Sequence, residues 1–392
     1  MARRETSVAG PGSRALVVDV IRSTISISRV ELAERTGLTQ PSISNIVRDL
    51  IADGVIYETG SADSARGKPR RLLAITPAHR FGIGFHLGPD TLNCVAIDLT
   101  GGVVGREVIP FDTTDLAERL AERFDDFVAD LDLPRDRIEG LAIVAATAQP
   151  GAEADGPEWA AVRAALAGRL RIPVIVENDA AAAGLGEFWS RRVPREQAFG
   201  SVYLSTGIGA GLVFGGALFR GASFDAGELG HLSIAYDGRP CPCGNKGCVE
   251  RYASMGATVD AARDAGLTVD QKTISSAYDA IAHAAVGGDP QAYAVVDQAA
   301  GYLSLAVTSM VNLLDLGRVV LTGPGVAVAG SIYARRLRTQ LSRTAHSRHR
   351  HEISVELSAQ PRDAAGIGAA ALVVQASIAP GHTAPGKVPA AD

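Results

Sequence analysis

Three cysteines and a histidine, His231, Cys241, Cys243 and Cys248, stand close together in the chain. One imidazole and three thiolates are the four donors of a tetrahedral structural zinc site, and four protein ligands leave no open position for catalysis. Gly244 and Gly247 lie between Cys243 and Cys248, where glycine lets the backbone curl until the three sulfurs converge. A disulfide is the competing use of clustered cysteines. Against it, the opening residues Met1-Ala2-Arg3-Arg4-Glu5 lack the apolar core of a secretory signal. No stretch approaches the roughly 20 uninterrupted apolar residues of a membrane span, so no membrane role is expected. A cytoplasmic chain keeps its thiols reduced, and there such a cluster reads as a metal site. The fourth cysteine, Cys94, falls in an apolar run over 92–99 and is expected to be a small buried core residue.

A second set of residues suits contact with nucleic acid. Residues 1–80 carry 12 Lys and Arg against 8 Asp and Glu, while the remainder carries 26 against 35, giving the net −5 of the whole chain. A basic head on an acidic body confines any DNA contact to the head. Within it, Leu16, Val17, Val20 and Ile21 fall at helical spacing. Ser28 followed by Glu31 forms a capping box opening a second helix, which stops at Gly37. Pro41 sits in the first turn of a third helix, in which Ile43, Ile46, Val47 and Leu50 share an apolar face. Its other side offers Thr39, Gln40, Ser42, Ser44, Asn45 and Arg48, polar side chains able to bond base edges and phosphates in a major groove. Two strands around residues 55–58 and 72–75 flank a loop with Arg66, Lys68 and Arg70, which reads as a basic wing. The order helix, helix-turn-helix, basic hairpin predicts a winged helix-turn-helix over residues 1–79.

The body alternates strands and helices, with a strand and glycine turn near residue 84 and another near 204, as expected of two similar α/β lobes around a cleft. Here the chain resembles the ROK family of sugar kinases and sugar-responsive repressors, from about residue 81 to about 374. The run Gly227-Glu228-Leu229-Gly230-His231, followed by Cys241-Pro242-Cys243-Gly244-Asn245-Lys246-Gly247-Cys248-Val249-Glu250, carries the family signature in full. The resemblance implies an actin/hexokinase-like (ribonuclease-H-like) fold. Its small lobe would span 80–180, completed by a C-terminal helix near 363–377, and its large lobe with the zinc would span 181–362. A tail over 380–392, rich in Pro, Ala and Gly, is expected to be disordered. The repressor branch of the family carries a winged helix-turn-helix in front of this body, as read here.

The resemblance also implies a sugar site. Asn178 and Asp179 follow a strand and match the family's Asn-Asp pair, whose aspartate serves kinases as general base on a sugar hydroxyl. A carboxylate at the C-terminal end of a strand lies where α/β proteins usually bind ligands. Glu228, His231 and Glu250 complete the implied ring around the sugar, with His231 touching both sugar and zinc. Thr206-Gly207-Ile208-Gly209-Ala210-Gly211 resembles the family's second phosphate turn, and Gly323-Pro324-Gly325-Val326 its adenosine-side turn.

The first phosphate loop departs from the family pattern Asp-x-Gly-Gly-Thr. This chain has His86-Leu87-Gly88-Pro89-Asp90-Thr91: the acid that helps hold Mg²⁺ is His86, Pro89 lacks an N–H for phosphate, and Asp90 sets negative charge beside an anion. The loop at 141–151 also departs from the family's Gly-(Val/Ile)-Pro-Gly-Pro. The expected function is therefore a sugar-responsive transcriptional regulator of carbohydrate metabolism, without kinase activity. It would bind operator DNA as a homodimer or homotetramer. A sugar kinase with a DNA-binding arm and a repressor released by a protein partner are the alternatives. Two stretches are expected to carry no function: a surface helix over 113–131 and a solvated basic loop over 346–352.

Overall fold

The computed structural model describes residues 11–62, 70–88, 91–146 and 157–378. Arg66, Lys68, Pro89, Asp90, residues 147–151 of the altered loop and the tail from 380 lie outside the described residues.

The head contains α1 (Pro11–Thr24), β1 (Ile27–Ser28), α2 (Arg29–Thr36), α3 (Gln40–Ala52), β2 (Ile56–Ala62) and β3 (Arg70–Ile75). Ser28 and Glu31 form the capping box on α2, and Gly37 closes that helix in the left-handed region with φ 69°. Thr39 caps α3, whose buried face is Ile43, Ile46, Val47 and Leu50. These meet Val17, Ile21 and Leu32, and Leu32, Ile43 and Leu50 are wholly buried. Burial of side chains of this size stabilises by roughly 1.5–3 kcal/mol each. The sheet order is β1-β3-β2, and the two-residue strand β1, absent from the sequence reading, pairs Ile27 with Leu73. Two residues show no period, so only the tertiary contact reveals that strand.

The body holds two five-stranded sheets with matching order. The first contains β4 (Phe81–Leu87), β5 (Thr91–Asp98), β6 (Val103–Pro110), β7 (Ile138–Ala145) and β8 (Val174–Asn178), in the order β6-β5-β4-β7-β8. Helices α4 (Leu116–Asp130) and α5 (Pro157–Leu170) accompany it. From α4, Leu120, Ala121, Phe124, Phe127 and Val128 pack into this lobe's core beside wholly buried Cys94. Helix α4 thus covers the sheet with one face and shows solvent the other.

Helix α6 (Asp179–Ser190) leads to the second sheet, built of β9 (Phe199–Leu204), β10 (Ile208–Phe214), β11 (Ala217–Leu218), β12 (Arg318–Thr322) and β13 (Ser354–Leu357), in the order β11-β10-β9-β12-β13. Helices α7 (Glu250–Ala253), α8 (Met255–Asp264), α9 (Ile274–Val286), α10 (Pro290–Leu314) and α11 (Gly330–Thr344) build this lobe's core with the sheet. By length and composition α10 could cross a membrane, but just over half of its most apolar window is buried in the protein. It is the central core helix of the lobe. The basic stretch at 346–352 differs from a plain solvated loop, because His346–His349 form a 3-10 turn with Ser347 buried.

The last helix, α12 (Ala364–Ile378), packs on β4, β5 and β7, while α6 packs on β9 and β10, and the two helices pack on each other. Small residues permit that contact: a Cβ on Gly368 would lie 1.7 Å from the Ala182 carbonyl oxygen, and one on Gly184 would lie 2.6 Å from the Gly211 Cα. The lobes therefore meet through a pair of closely packed helices.

Candidate functional site

The ligand atoms of His231, Cys241, Cys243 and Cys248 all lie within 4.8 Å of one another. Cys241 Sγ is 3.6 Å from His231 Nδ1, and the sulfurs of Cys243 and Cys248 are 3.7 Å apart. A tetrahedron with Zn–S of about 2.3 Å and Zn–N of about 2.0 Å has edges of roughly 3.5–3.8 Å, which these two separations match. The chain makes this possible at Gly247, with φ 72°, where a Cβ would meet the Ala235 carbonyl oxygen at 1.8 Å. The Cys243 thiol is lowered to about 7, first by the Asn245 backbone N–H, whereas burial pushes Cys248 up to about 12. A bound cation would hold both as thiolates.

His231 faces two ways. Its Nδ1 points at the sulfurs, while its Nε2 lies 3.9 Å from Glu228 Oε2. Glu228 is pushed above the usual carboxylate range by burial, with His231 opposing and the charges of Asp225, Glu250 and Asp179 adding to the rise. These acids therefore lie near one another. Glu250 Oε2 accepts from the Ile208 N–H at 3.1 Å. A Cβ on either Gly207 or Gly230 would come within 2.9 Å of that oxygen, so both glycines make room for the carboxylate.

Asp179 opens α6 and is 6% exposed. A carboxylate in a helix's first turn is stabilised by the unpaired N–H groups there. Asn178 accepts from the Ala181 N–H at 3.0 Å, so it caps the helix that holds Asp179. Glu177, 3% exposed, is paired with Arg220 at 2.7 Å, an ion pair absent from the sequence reading.

Beside Asp179 stand two further residues on which sequence reasoning was silent or incomplete. His86 Nε2 lies 3.6 Å from Asp179 Oδ2, and both side chains are largely buried. The Tyr203 ring stands nearly perpendicular to the His86 ring at 6.4 Å between centroids. The Tyr203 hydroxyl is buried, and burial beside Asp179 pushes its pKa well up, with the Ser205 side chain opposing. His86 and Tyr203 are the penultimate residues of β4 and β9, the middle strands of the two sheets. That equivalence is the signal that would have found Tyr203. The glycine run at 206–211 also resolves: residues 205–207 form the turn, with the Ser205 N–H bonded to the Gly207 carbonyl at 2.9 Å. Gly209 and Gly211 belong to β10, and a Cβ on either would collide with Ala180 or Gly184 of α6. Those two glycines serve packing. Gly323, at φ 90°, turns the chain after β12 against Leu204.

In the head, Gln40, Ser44, Asn45 and Arg48 are exposed on α3, and Arg48 is 71% exposed in its side chain. Gln40, Ser44 and Arg48 recur every four residues and so form one line along the helix. The Thr39 and Ser42 hydroxyls contact each other at 2.9 Å within the cap, which ties up part of their capacity. Arg70 begins β3. Neighbouring Arg71 is engaged by Glu58, which also holds Arg29 of α2 at 3.1 Å, and these arginines keep the Glu58 carboxyl low.

The chain belongs to the ROK family, whose sequence profile matches residues 82–376. A winged helix-turn-helix DNA-binding profile matches residues 20–57. The xylose repressor of Bacillus subtilis strain 168 is 24% identical over 383 residues, covering 94% of this chain and 96% of its own. A glucokinase of Halalkalibacterium halodurans is 32% identical over 215 residues, 52% of this chain and 64% of its own. Among solved structures, a ROK family transcriptional regulator, a homologue of the E. coli MLC protein, matches with TM-score 0.73 at 24% identity, covering 96% of this chain and 99% of its own. The protein is thus an α/β chain with an N-terminal winged helix-turn-helix and an actin-like ROK body whose Cys3His cluster can hold a metal.

Proposed function

We propose that this protein is a sugar-responsive repressor of carbohydrate-metabolism genes, acting in the cytoplasm on operator DNA. The observation that carries the reading is the union, in one chain, of the exposed α3 face and the acidic cleft around Asp179. Similarity to a xylose repressor along nearly the full length of both chains supports it. Thr39, Gln40, Ser42, Ser44, Asn45 and Arg48, with Arg66, Lys68 and Arg70 of the wing, contact DNA. One head covers too little DNA to single out a site, so a homodimer or homotetramer reads two half-sites. Asn178, Asp179, Glu228, His231 and Glu250 bind the sugar hydroxyls, and zinc held by His231, Cys241, Cys243 and Cys248 fixes the loop that presents His231.

The cleft binds sugar without phosphorylating it. A kinase needs Asp179 free to take a proton from the sugar and needs a loop that cradles phosphate and Mg²⁺. The position of His86, 3.6 Å from Asp179, supports loss of both features. The glucokinase similarity favours the kinase alternative, and a coupled phosphorylation assay decides it.

The experiment that tests the reading is a thermal-shift screen of zinc-replete protein with D-xylose, D-glucose, N-acetyl-D-glucosamine, their phosphates, and ATP with Mg²⁺. A ligand at 100 times its Kd adds about 2.7 kcal/mol. A sugar shift that is lost in Asp179→Ala, with no ATP shift, is expected. An ATP shift with turnover would replace the sensor by a kinase, and no shift at all would favour a partner-controlled repressor.

A further inference from the structure

Helix α6 connects the cleft to the DNA-binding head. Asn178 caps it and Asp179 opens it, while its last turn carries Phe188 and Trp189, the two ends of 12 residues or about 18 Å. Every residue from Asp179 to Trp189 is buried. Gly184 meets Gly211 of β10 and Gly186 meets Gly368 of α12 at backbone distance. A helix clamped on two sides at that distance has little room to bend. It can only shift as a rod, which is how closely packed elements pass on a displacement.

At the far end of this rod the head meets it through a buried charged side chain. Arg22 of α1 is 4% exposed. Its Nη1 donates to the Trp189 carbonyl at 3.2 Å, and its guanidinium lies 4.5 Å from the Trp189 ring centroid and 5.8 Å from that of Phe188. Its Nη2 and Nε both reach Asp19 Oδ1, at 2.8 and 3.3 Å. Apart from Asp19 on its own helix, its hydrogen-bond and ring partners among the described residues belong to α6. A cation on the last carbonyls of a helix is favoured by the helix dipole, and stacking on indole adds to it.

A buried arginine is costly unless every contact is made, and an apolar side chain would dock α1 at lower cost. The charge therefore fixes one orientation of the head. Beside it, a crevice of about 280 Å³ between Val20, Ser23 and Arg35 of the head and Pro194, Arg195 and Glu196 of the body leaves the adjoining contact open. The head thus meets the body at Arg22 and where α1 touches α12, with an open crevice beside these contacts.

We infer that Arg22 is a positioning residue that couples the DNA-binding head to the cleft, so that a displacement of Asp179 at one end of α6 is passed through Trp189 to α1. This inference rests on the sensor reading for its purpose, while the mechanical link can be tested without any sugar.

The test is hydrogen–deuterium exchange on the full, zinc-replete chain, comparing wild type with Arg22→Met, Arg22→Lys and Asp179→Asn. Coupling is reciprocal, so a change at either end must appear at the other. Arg22→Met is expected to raise exchange in α1 and also at amides 178–183 by roughly threefold or more, with Arg22→Lys partly restoring both. Asp179→Asn, which leaves the head untouched, is expected to alter exchange over residues 17–24. Exchange that rises in α1 alone in Arg22→Met would reduce Arg22 to a docking contact. An unchanged α1 in Asp179→Asn would overturn the coupling even if Arg22→Met failed to fold. A sugar screen without hits would instead overturn the sensor reading and leave this result standing.

Discussion

Nε2 of His86 lies 3.6 Å from Oδ2 of Asp179, joining the end of β4 in one sheet to the start of α6. His86→Asp would place two carboxylates together in a largely buried site, and one of them would then have a raised pKa. A carboxyl whose folded pKa lies above its unfolded value is most favourable to folding below the unfolded value, and that stability is lost as pH rises through the folded one. His86→Asp should therefore melt lower than wild type at pH 7 and approach it near pH 4, each unit of raised pKa costing about 1.4 kcal/mol. His86→Asn should show no such pH dependence. A parallel pH profile for His86→Asp and wild type would show that the two side chains do not interact.

Removal of the metal should loosen the 231–250 loop, because a structural ion contributes its binding energy only to the folded state. Elemental analysis should find one zinc per chain. Chelation or Cys248→Ser should lower Tm by roughly 5 °C or more, as expected for a loss of about 2 kcal/mol in a domain of this size. Equal Tm with and without chelator would remove the metal from the account.

Arg48 is 71% exposed beside Asp49 at 3.6 Å, a weak surface pair that DNA phosphate would displace. Against an operator selected from random sequence, Arg48→Ala should weaken binding and reduce the slope of log affinity against log salt by about 1. Ser44→Ala should change sequence preference with the slope intact. An Arg48→Ala slope equal to wild type would take this residue out of the phosphate contacts.

Gly368 has no room for a side chain, since its Cβ would sit 1.7 Å from the Ala182 carbonyl oxygen. Gly368→Ala should force α6 and α12 apart and destabilise the body by about 3 kcal/mol, at the upper end for overpacking, measured by urea denaturation. The exposed Gly266, with nothing within 4 Å but φ at +85°, is the contrast: Gly266→Ala should cost about 1 kcal/mol through backbone strain alone.

Local order determined much of what could be read from the chain by itself. The capping box of Ser28 and Glu31, the apolar spacing of Ile43, Ile46, Val47 and Leu50, and the turn at Gly37 act within a few residues, so they are visible without a fold. The metal donors are legible for the same reason: three of them lie within eight residues and His231 is only ten before the first. The strand-plus-glycine pattern near residues 84 and 204 likewise announced two related lobes, which the matching sheet orders display.

Tertiary structure alone decided which distant residues meet. No period or spacing joins His86 to Asp179, Arg22 to Trp189 or Arg220 to Glu177, because each contact depends on how whole elements pack. The glycines show the limit most directly. Gly207, Gly209 and Gly211 look alike in sequence, yet the first makes room for the Glu250 carboxylate in a turn and the others let α6 press against β10. The difference lies in what stands opposite each missing Cβ, and only the folded chain supplies that neighbour.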